Sequence, residues 1–385
     1  MKTHRNVRLL ALHNFFLDFR PYSAIAIVYF ASITGSFALG MAVFTVVMVS
    51  SAVLEVPTGI FSDTIGRCRS IILGSAASTT SLVLYALGGS FWLLALGACF
   101  EGMSRAFFSG NNDALLHDTL VQEGKADDYA EILGKTSSMF QLALAIGALI
   151  GGLVGEWWSL RLVIWISVIP QIACLITSFF FIEPKVHTEE TTNVFAHLKE
   201  AILQFKKNVK LRVLSAGSIF QYGIGESMFQ FEPAFIAALW PTWGVGIARM
   251  LSHFFGWLSF WFAGAVIKRH SATLTLFVAL AISNIIGLIA FGFPTTLSPL
   301  LVASMSLVYG FIMVSQNTLL QKEITENQRA TMGSLNSLFG SLFFGMCAIG
   351  IGLIGDKWGA ATALLIGEIS LLLLLPLYWL LFVKR

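Results

Sequence analysis

The chain has 385 residues, 56% of them hydrophobic and only 12% charged, with a formal net charge of +3. A soluble domain carries about twice that charged fraction, and so small a net charge gives no reason to expect a nucleic-acid partner. Continuous apolar blocks of about twenty residues exclude a β-barrel, whose strands alternate, and call for helices that cross a lipid bilayer.

The first block is basic from Met1 to Leu12 and then apolar, like a signal peptide. It runs on to about Ala31 without a small-residue cleavage site, so it reads as the first span. Apolar blocks divided at Gly, Pro and charge then place spans near 8–32, 37–61, 70–88, 91–116, 135–155 and 160–182. After a polar stretch come 211–239, 244–267, 272–292, 296–320, 330–355 and 358–382. One set of connections holds Lys2, Arg5, Arg8, Arg67, Arg69, Lys125, Lys135, Lys185, Lys199, Lys206, Lys207, Lys210, Arg212, Lys268, Arg269, Lys322, Arg329, Lys384 and Arg385. The opposite set holds Arg161 and Lys357. Such asymmetry puts both termini in the cytoplasm and implies an even number of spans; the expected location is the inner membrane of a bacterial cell. Cys68, Cys99, Cys174 and Cys347 show no metal-ligand spacing and read as free thiols, so no metal is expected.

The polar stretch Glu183–Arg212 repeats Val194, Leu198, Ile202 and Phe205 at helical spacing beside Lys199, Lys206 and Lys207. It reads as an amphipathic helix on the cytoplasmic membrane face. The expected domains are thus 1–183, a linker over 184–210, and 211–385. The halves echo one another. Gly152-Leu153-Val154-Gly155-Glu156-Trp157-Trp158 reappears as Gly352-Leu353-Ile354-Gly355-Asp356-Lys357-Trp358, Leu115-Leu116 as Leu319-Leu320, and Gly59 as Gly264, all offset by about 200 to 205 residues. A duplicated six-helix unit explains the offset, and two parallel copies leave a cleft suited to moving a solute.

Between spans two and three lies Gly59-Ile60-Phe61-Ser62-Asp63-Thr64-Ile65-Gly66-Arg67-Cys68-Arg69. It resembles the signature of the major facilitator superfamily, with Gly59, Asp63, Gly66, Arg67 and Arg69 in the matching places. Thr64 and Cys68 stand where many members carry basic residues. The resemblance implies an all-α membrane fold of twelve helices in two six-helix bundles, a secondary transporter and no enzyme. It also implies that this loop latches one side of the protein, with Asp63 receiving a helix N-terminus. Gly147 to Gly155 is similar to the glycine-rich span-five motif of the antiporters, with Gly152 in place of a proline. Close helix packing explains those glycines as well.

Ionisable groups within spans are costly and mark function or ion pairs. Those here are Asp18, Arg20, Glu55, Glu101, Arg105, Asp113, Glu226, Glu232, Arg249, His253 and Glu368. Depth reckoned at about 1.5 Å per residue pairs Asp18 with Arg105, sets Glu101 one turn from Arg105, pairs Glu232 with Arg249 and brings Glu226 near His253. The resemblance implies that spans one, four, seven and ten line the cavity. Asp18, Glu101, Glu226 and Glu232 are then the candidates for proton coupling, by exchange of a proton for an arginine. Gln221, Tyr222, Gln230, Tyr309, Gln316 and Asn317, with Ser315, are candidates to contact solute.

The expected function is proton-coupled efflux of an amphipathic, drug-like compound by a monomer, with no cofactor beyond the transmembrane proton gradient. Uptake of a small anionic metabolite is the alternative that Arg105 and Arg249 keep open. A non-transporting receptor or assembly factor is the reading from another class. Gly134-Lys135-Thr136 lacks the first glycine of a phosphate loop, and no catalytic motif is present.

Overall fold

The computed structural model describes residues 3–126, 129–184, 205, 208–324 and 329–383. The helix expected across 184–210 lies mostly outside them. Among the described residues the secondary structure is helical and no strand occurs. In chain order the helices are α1 (Thr3–Asp18), a 3-10 turn (Pro21–Ile25), α2 (Ala26–Thr34), α3 (Phe37–Ile65), α4 (Arg67–Leu87), α5 (Phe91–Phe108), α6 (Asn111–Gln122), α7 (Tyr129–Trp157) and α8 (Leu160–Ser178). They continue with α9 (Val209–Ala237), α10 (Thr242–His270), α11 (Ala272–Gly292), α12 (Ser298–Glu323), α13 (Arg329–Trp358), α14 (Ala360–Leu371) and α15 (Leu374–Val383).

Ten of these segments are long and apolar enough to cross a bilayer. The first expected span is not among them because Pro21 interrupts it: proline has no N–H to continue the ladder, and a 3-10 turn replaces the helix. The seventh has the length, 29 residues, but it carries Lys210, Arg212, Glu226 and Glu232. Starts and stops follow ordinary capping chemistry. Ser90, Ser159, Asn208 and Ser271 each accept, through a side-chain oxygen, the N–H of the residue three further on. Two more expected spans are broken, at Gly110 (φ 73°) between α5 and α6 and at Leu372–Leu373 before Pro376 between α14 and α15.

The chain divides into two compact units. Unit 1 comprises Met1–Gly35, Val43–Glu189 and Pro241–Met250, and unit 2 comprises Ser36–Ala42, Glu190–Trp240 and Leu251–Arg385. Each unit therefore takes in one short segment from the other half of the sequence. The core of unit 1 gathers Tyr22, Ile25, Tyr29, Phe30, Val47, Tyr85, Ala98 and Ile164. In unit 2 the buried residues include Leu214, Met228, Phe231, Phe235, Phe291, Phe344 and Tyr378, with Phe235 and Phe291 edge to face at 5.3 Å.

Candidate functional site

The break in the first span helps to gather four hydrogen bonds on one carboxylate of unit 1. Beyond Asp18 the chain turns, and α7 accommodates the turn with two glycines. Gly147 faces the Arg20 backbone, and any Cβ at Gly151 would overlap the Pro21 carbonyl. That contact accounts for part of the glycine run in span five by packing alone. The turn delivers Arg20 to Glu101 of α5, its Nη1 donating to Oε1 at 3.1 Å while Nε holds the Leu17 carbonyl at 2.7 Å. Arg105 Nη2 donates to the same oxygen at 3.0 Å from one helical turn away. The other oxygen, Oε2, accepts the hydroxyls of Tyr22 at 3.2 Å and Tyr85 at 3.0 Å.

Glu101 is only 5% exposed, whereas the Arg105 side chain is 41% exposed. One buried carboxylate thus bonds two guanidinium groups and two phenols. Asp18 feels the charges of both arginines. Arg105 bonds Glu101, the residue expected one helical turn away from it. Depth reckoning assumed an unbroken helix, whereas α1 ends at Asp18 and a 3-10 turn follows. Tyr22 and Tyr85 escaped sequence reading because isolated tyrosines in apolar blocks carry no pattern.

In the loop between α3 and α4, Gly66 adopts φ +96° and leaves room for the Glu183 carboxylate, against which a Cβ would stand 2.9 Å away. Glu183 then accepts the N–H groups of Arg67 at 2.7 Å and Cys68 at 2.8 Å, the first free donors of α4. The acid that receives this helix N-terminus is Glu183 at the end of the sixth span. The Asp63 side chain lies outside the described residues. Arg67 Nη1 reaches Asn111 Oδ1 at 3.1 Å and Ser62 Oγ at 3.3 Å, which ties the loop to the start of α6. Arg69 and Gly59 are exposed, as is Asp113 in the first turn of α6.

Unit 2 holds a second polar group on α9 and α12. Glu226 Oε1 accepts Gln230 Nε2 at 2.8 Å, and the charge of Glu226 reaches Tyr309, as does the neighbouring Tyr222. The Phe260 ring stands edge-on to Tyr309 at 6.0 Å, and Phe229 edge-on to His253 at 6.3 Å. Gln221 Oε1 is buried with no hydrogen-bond partner. Gln316 is turned into the bundle, where its Nε2 donates to the Tyr378 hydroxyl. Asn317 is exposed. Glu232 and Arg249 are both buried, the first in unit 2 and the second in unit 1.

The sequence repeat acquires a structural reason. In unit 1, Gly152 lies against Gly246, and Glu156 Oε2 accepts the Thr242 N–H at 2.7 Å, so the start of α10 rests on the end of α7. In unit 2, Gly352 lies against Ala38, and Asp356 accepts the N–H of Phe37 at 2.6 Å and of Ala38 at 3.0 Å, with the Ser36 hydroxyl bonded to the same carboxylate. In both repeats a glycine admits a helix start and an acid four residues on satisfies its free N–H groups.

The profile of the Major Facilitator Superfamily matches residues 9–346. The chain belongs to that superfamily. It has the all-helical, multi-pass membrane fold of that superfamily. Among curated proteins it is 26% identical over 160 residues to an uncharacterized transporter of Buchnera aphidicola subsp. Acyrthosiphon pisum, covering 42% of this chain and 40% of that protein. It is 29% identical over 160 residues to the class D tetracycline resistance protein of Salmonella ordonez, covering 42% of this chain and 38% of that one. The matches thus span about two fifths of these relatives. Two superfamily structures share the fold. The nucleoside transporter NupG, as a point mutant, superposes with a TM-score of 0.82 at 14% identity over 98% of this chain and 99% of that one. A bacterial homolog of the human lysosomal transporter Spinster superposes at 0.79 with 17% identity, over 99% and 97%.

Proposed function

We propose that this superfamily member exports a small amphipathic solute by alternating access, coupled to the proton gradient. It works as a monomer in the inner membrane of a bacterial cell with both termini cytoplasmic. The observation that carries the reading is Glu101, a buried carboxylate shared by Arg20 and Arg105. Buried charge of this kind is expensive within a membrane and is kept where it is exchanged. A proton arriving on Glu101 releases a guanidinium, and Arg105 is exposed enough to take another anion in its place. The name of the tetracycline resistance relative supports a drug-like solute. The charge of Arg105 supports the second reading, uptake of a small anionic metabolite, because a half-exposed guanidinium recognises carboxylate or phosphate.

Purified protein in proteoliposomes, given tetracycline and a nucleoside as separate probes, tests this. Flux of one probe should rise with an imposed pH gradient and lose at least tenfold in Glu101→Gln. A flux that ignores the gradient would remove proton coupling. A pH-driven flux running inward with an anionic probe would favour uptake.

A further inference from the structure

Glu368 on α14 is 1% exposed, and neither of its carboxylate oxygens has a hydrogen-bond partner. Its niche is made by a glycine on α11. A Cβ at Gly287 would stand 2.5 Å from Glu368 Cδ and 2.6 Å from Oε2, so the carboxyl lies directly on the Gly287 backbone. One helical turn earlier on the same face of α11 is Asn284, 2% exposed. Its Nδ2 donates to the Leu280 carbonyl at 2.8 Å, which fixes the amide orientation and leaves Oδ1 without a partner. Among the described residues, the ionisable group whose charge reaches Glu368 is another acid, the buried Glu232 of α9. No residue of α11 is ionisable, and the charged residues of α13 stand at its two ends, Arg329 at the start and the exposed Asp356 and Lys357 near the finish.

Three buried acceptor oxygens that meet no donor from the protein form a set that a bound proton supplies with the missing O–H. Lone packing glutamates do not need this arrangement. A carboxyl that were merely structural would be expected to bond a hydroxyl, an amide or an arginine, as Glu101 does four times over. We propose that Glu368, backed by Gly287 and Asn284, is a second cation site of the transporter, in unit 2, and that the cation it takes up and releases is a proton. The glycine niche favours the smallest occupant. A protonated carboxyl also supplies, from its own O–H, the donor that this pocket lacks. The site itself stands on geometry alone, whereas its part in coupling rests on the proton-coupled reading above.

The decisive measurement is infrared difference spectroscopy of the reconstituted protein titrated from alkaline to acidic buffer. The carbonyl band of a buried protonated carboxylic acid should be present in the wild type, absent in Glu368→Gln and still present in Glu101→Gln. Glu368→Gln preserves the shape of the side chain, and its thermal unfolding midpoint in detergent should stay at or above that of the wild type. Gly287→Ala, which pushes the carboxyl out of its niche, should shift the same band without deleting the acid. A spectrum in which Glu368→Gln removes no carboxyl band overturns the proposal. So does a band whose amplitude follows added sodium chloride at fixed pH, since the site would then be a sodium site. In the proteoliposome assay Glu368→Gln should lose pH-driven tetracycline flux at least tenfold while keeping tetracycline exchange without a gradient. If wild-type flux ignores the gradient but the band behaves as expected, the coupled reading fails and the proton site survives.

Discussion

Glu101 shows how one residue organises its surroundings. Its Oε1 takes two guanidinium donors and its Oε2 two phenols, so each oxygen uses both lone pairs. Removing a tyrosine hydroxyl deletes one donor and leaves the carboxylate with three. Tyr85→Phe should therefore cost about 1 kcal/mol, within the range measured for hydrogen bonds between membrane helices. Glu101→Ala removes the shared acceptor and strands Arg20, whose side chain is 13% exposed, beside the partly exposed Arg105. The loss there should be about 3–5 kcal/mol, the scale of a broken buried ion pair. Thermal unfolding in detergent, followed by tryptophan fluorescence, separates the two. Equal losses would mean that the arginines find other partners and that Glu101 is not their anchor.

At the scale of elements, hydropathy made the helices legible but not their breaks. The edges of α4, α8 and α11 fall within a few residues of the apolar blocks, because each ends at a glycine, a serine cap or a charge that is plain in the sequence. The break after Asp18 was hidden because the long apolar runs on either side outweigh the charged Asp18 and Arg20 beside Pro21. The glycines of α7 were visible as a motif, yet their use, two of them against the Arg20–Pro21 backbone, depends on a turn over a hundred residues earlier. Gly151→Ala should consequently cost about 1–3 kcal/mol, as overpacking against rigid backbone does. Gly350→Ala on α13 meets nothing within 4 Å and should be neutral or stabilising by up to about 1 kcal/mol. Unfolding midpoints of the two variants should therefore move in opposite directions or only one should move. If both fall alike, helix propensity and not the Pro21 contact governs α7.

At the scale of the whole molecule, the 200-residue repeat is a pair of clasps. Asp356 bonds two backbone N–H groups and a serine hydroxyl at the start of α3, and Glu156 bonds one N–H at the start of α10. The repeat was legible as matching letters. Its purpose was not, since the partners are main-chain groups far away in sequence, which leave no trace in side-chain identity. Each clasp holds a segment that the chain order assigns to the other half, Ser36–Ala42 in unit 2 and Pro241–Met250 in unit 1. A carboxylate on a helix N-terminus contributes as a cap does, so Asp356→Ala should cost about 1 kcal/mol and Glu156→Ala, with a single bond, about 0.5 kcal/mol. The two sites share no residue and belong to different units, so the double variant should lose the sum to within about 0.5 kcal/mol. Chemical unfolding of the two single variants and the double, measured in one detergent, makes the comparison. A double loss well beyond the sum would mean that each clasp holds only while the other is closed, and the two repeats would then act as one device and not as independent caps.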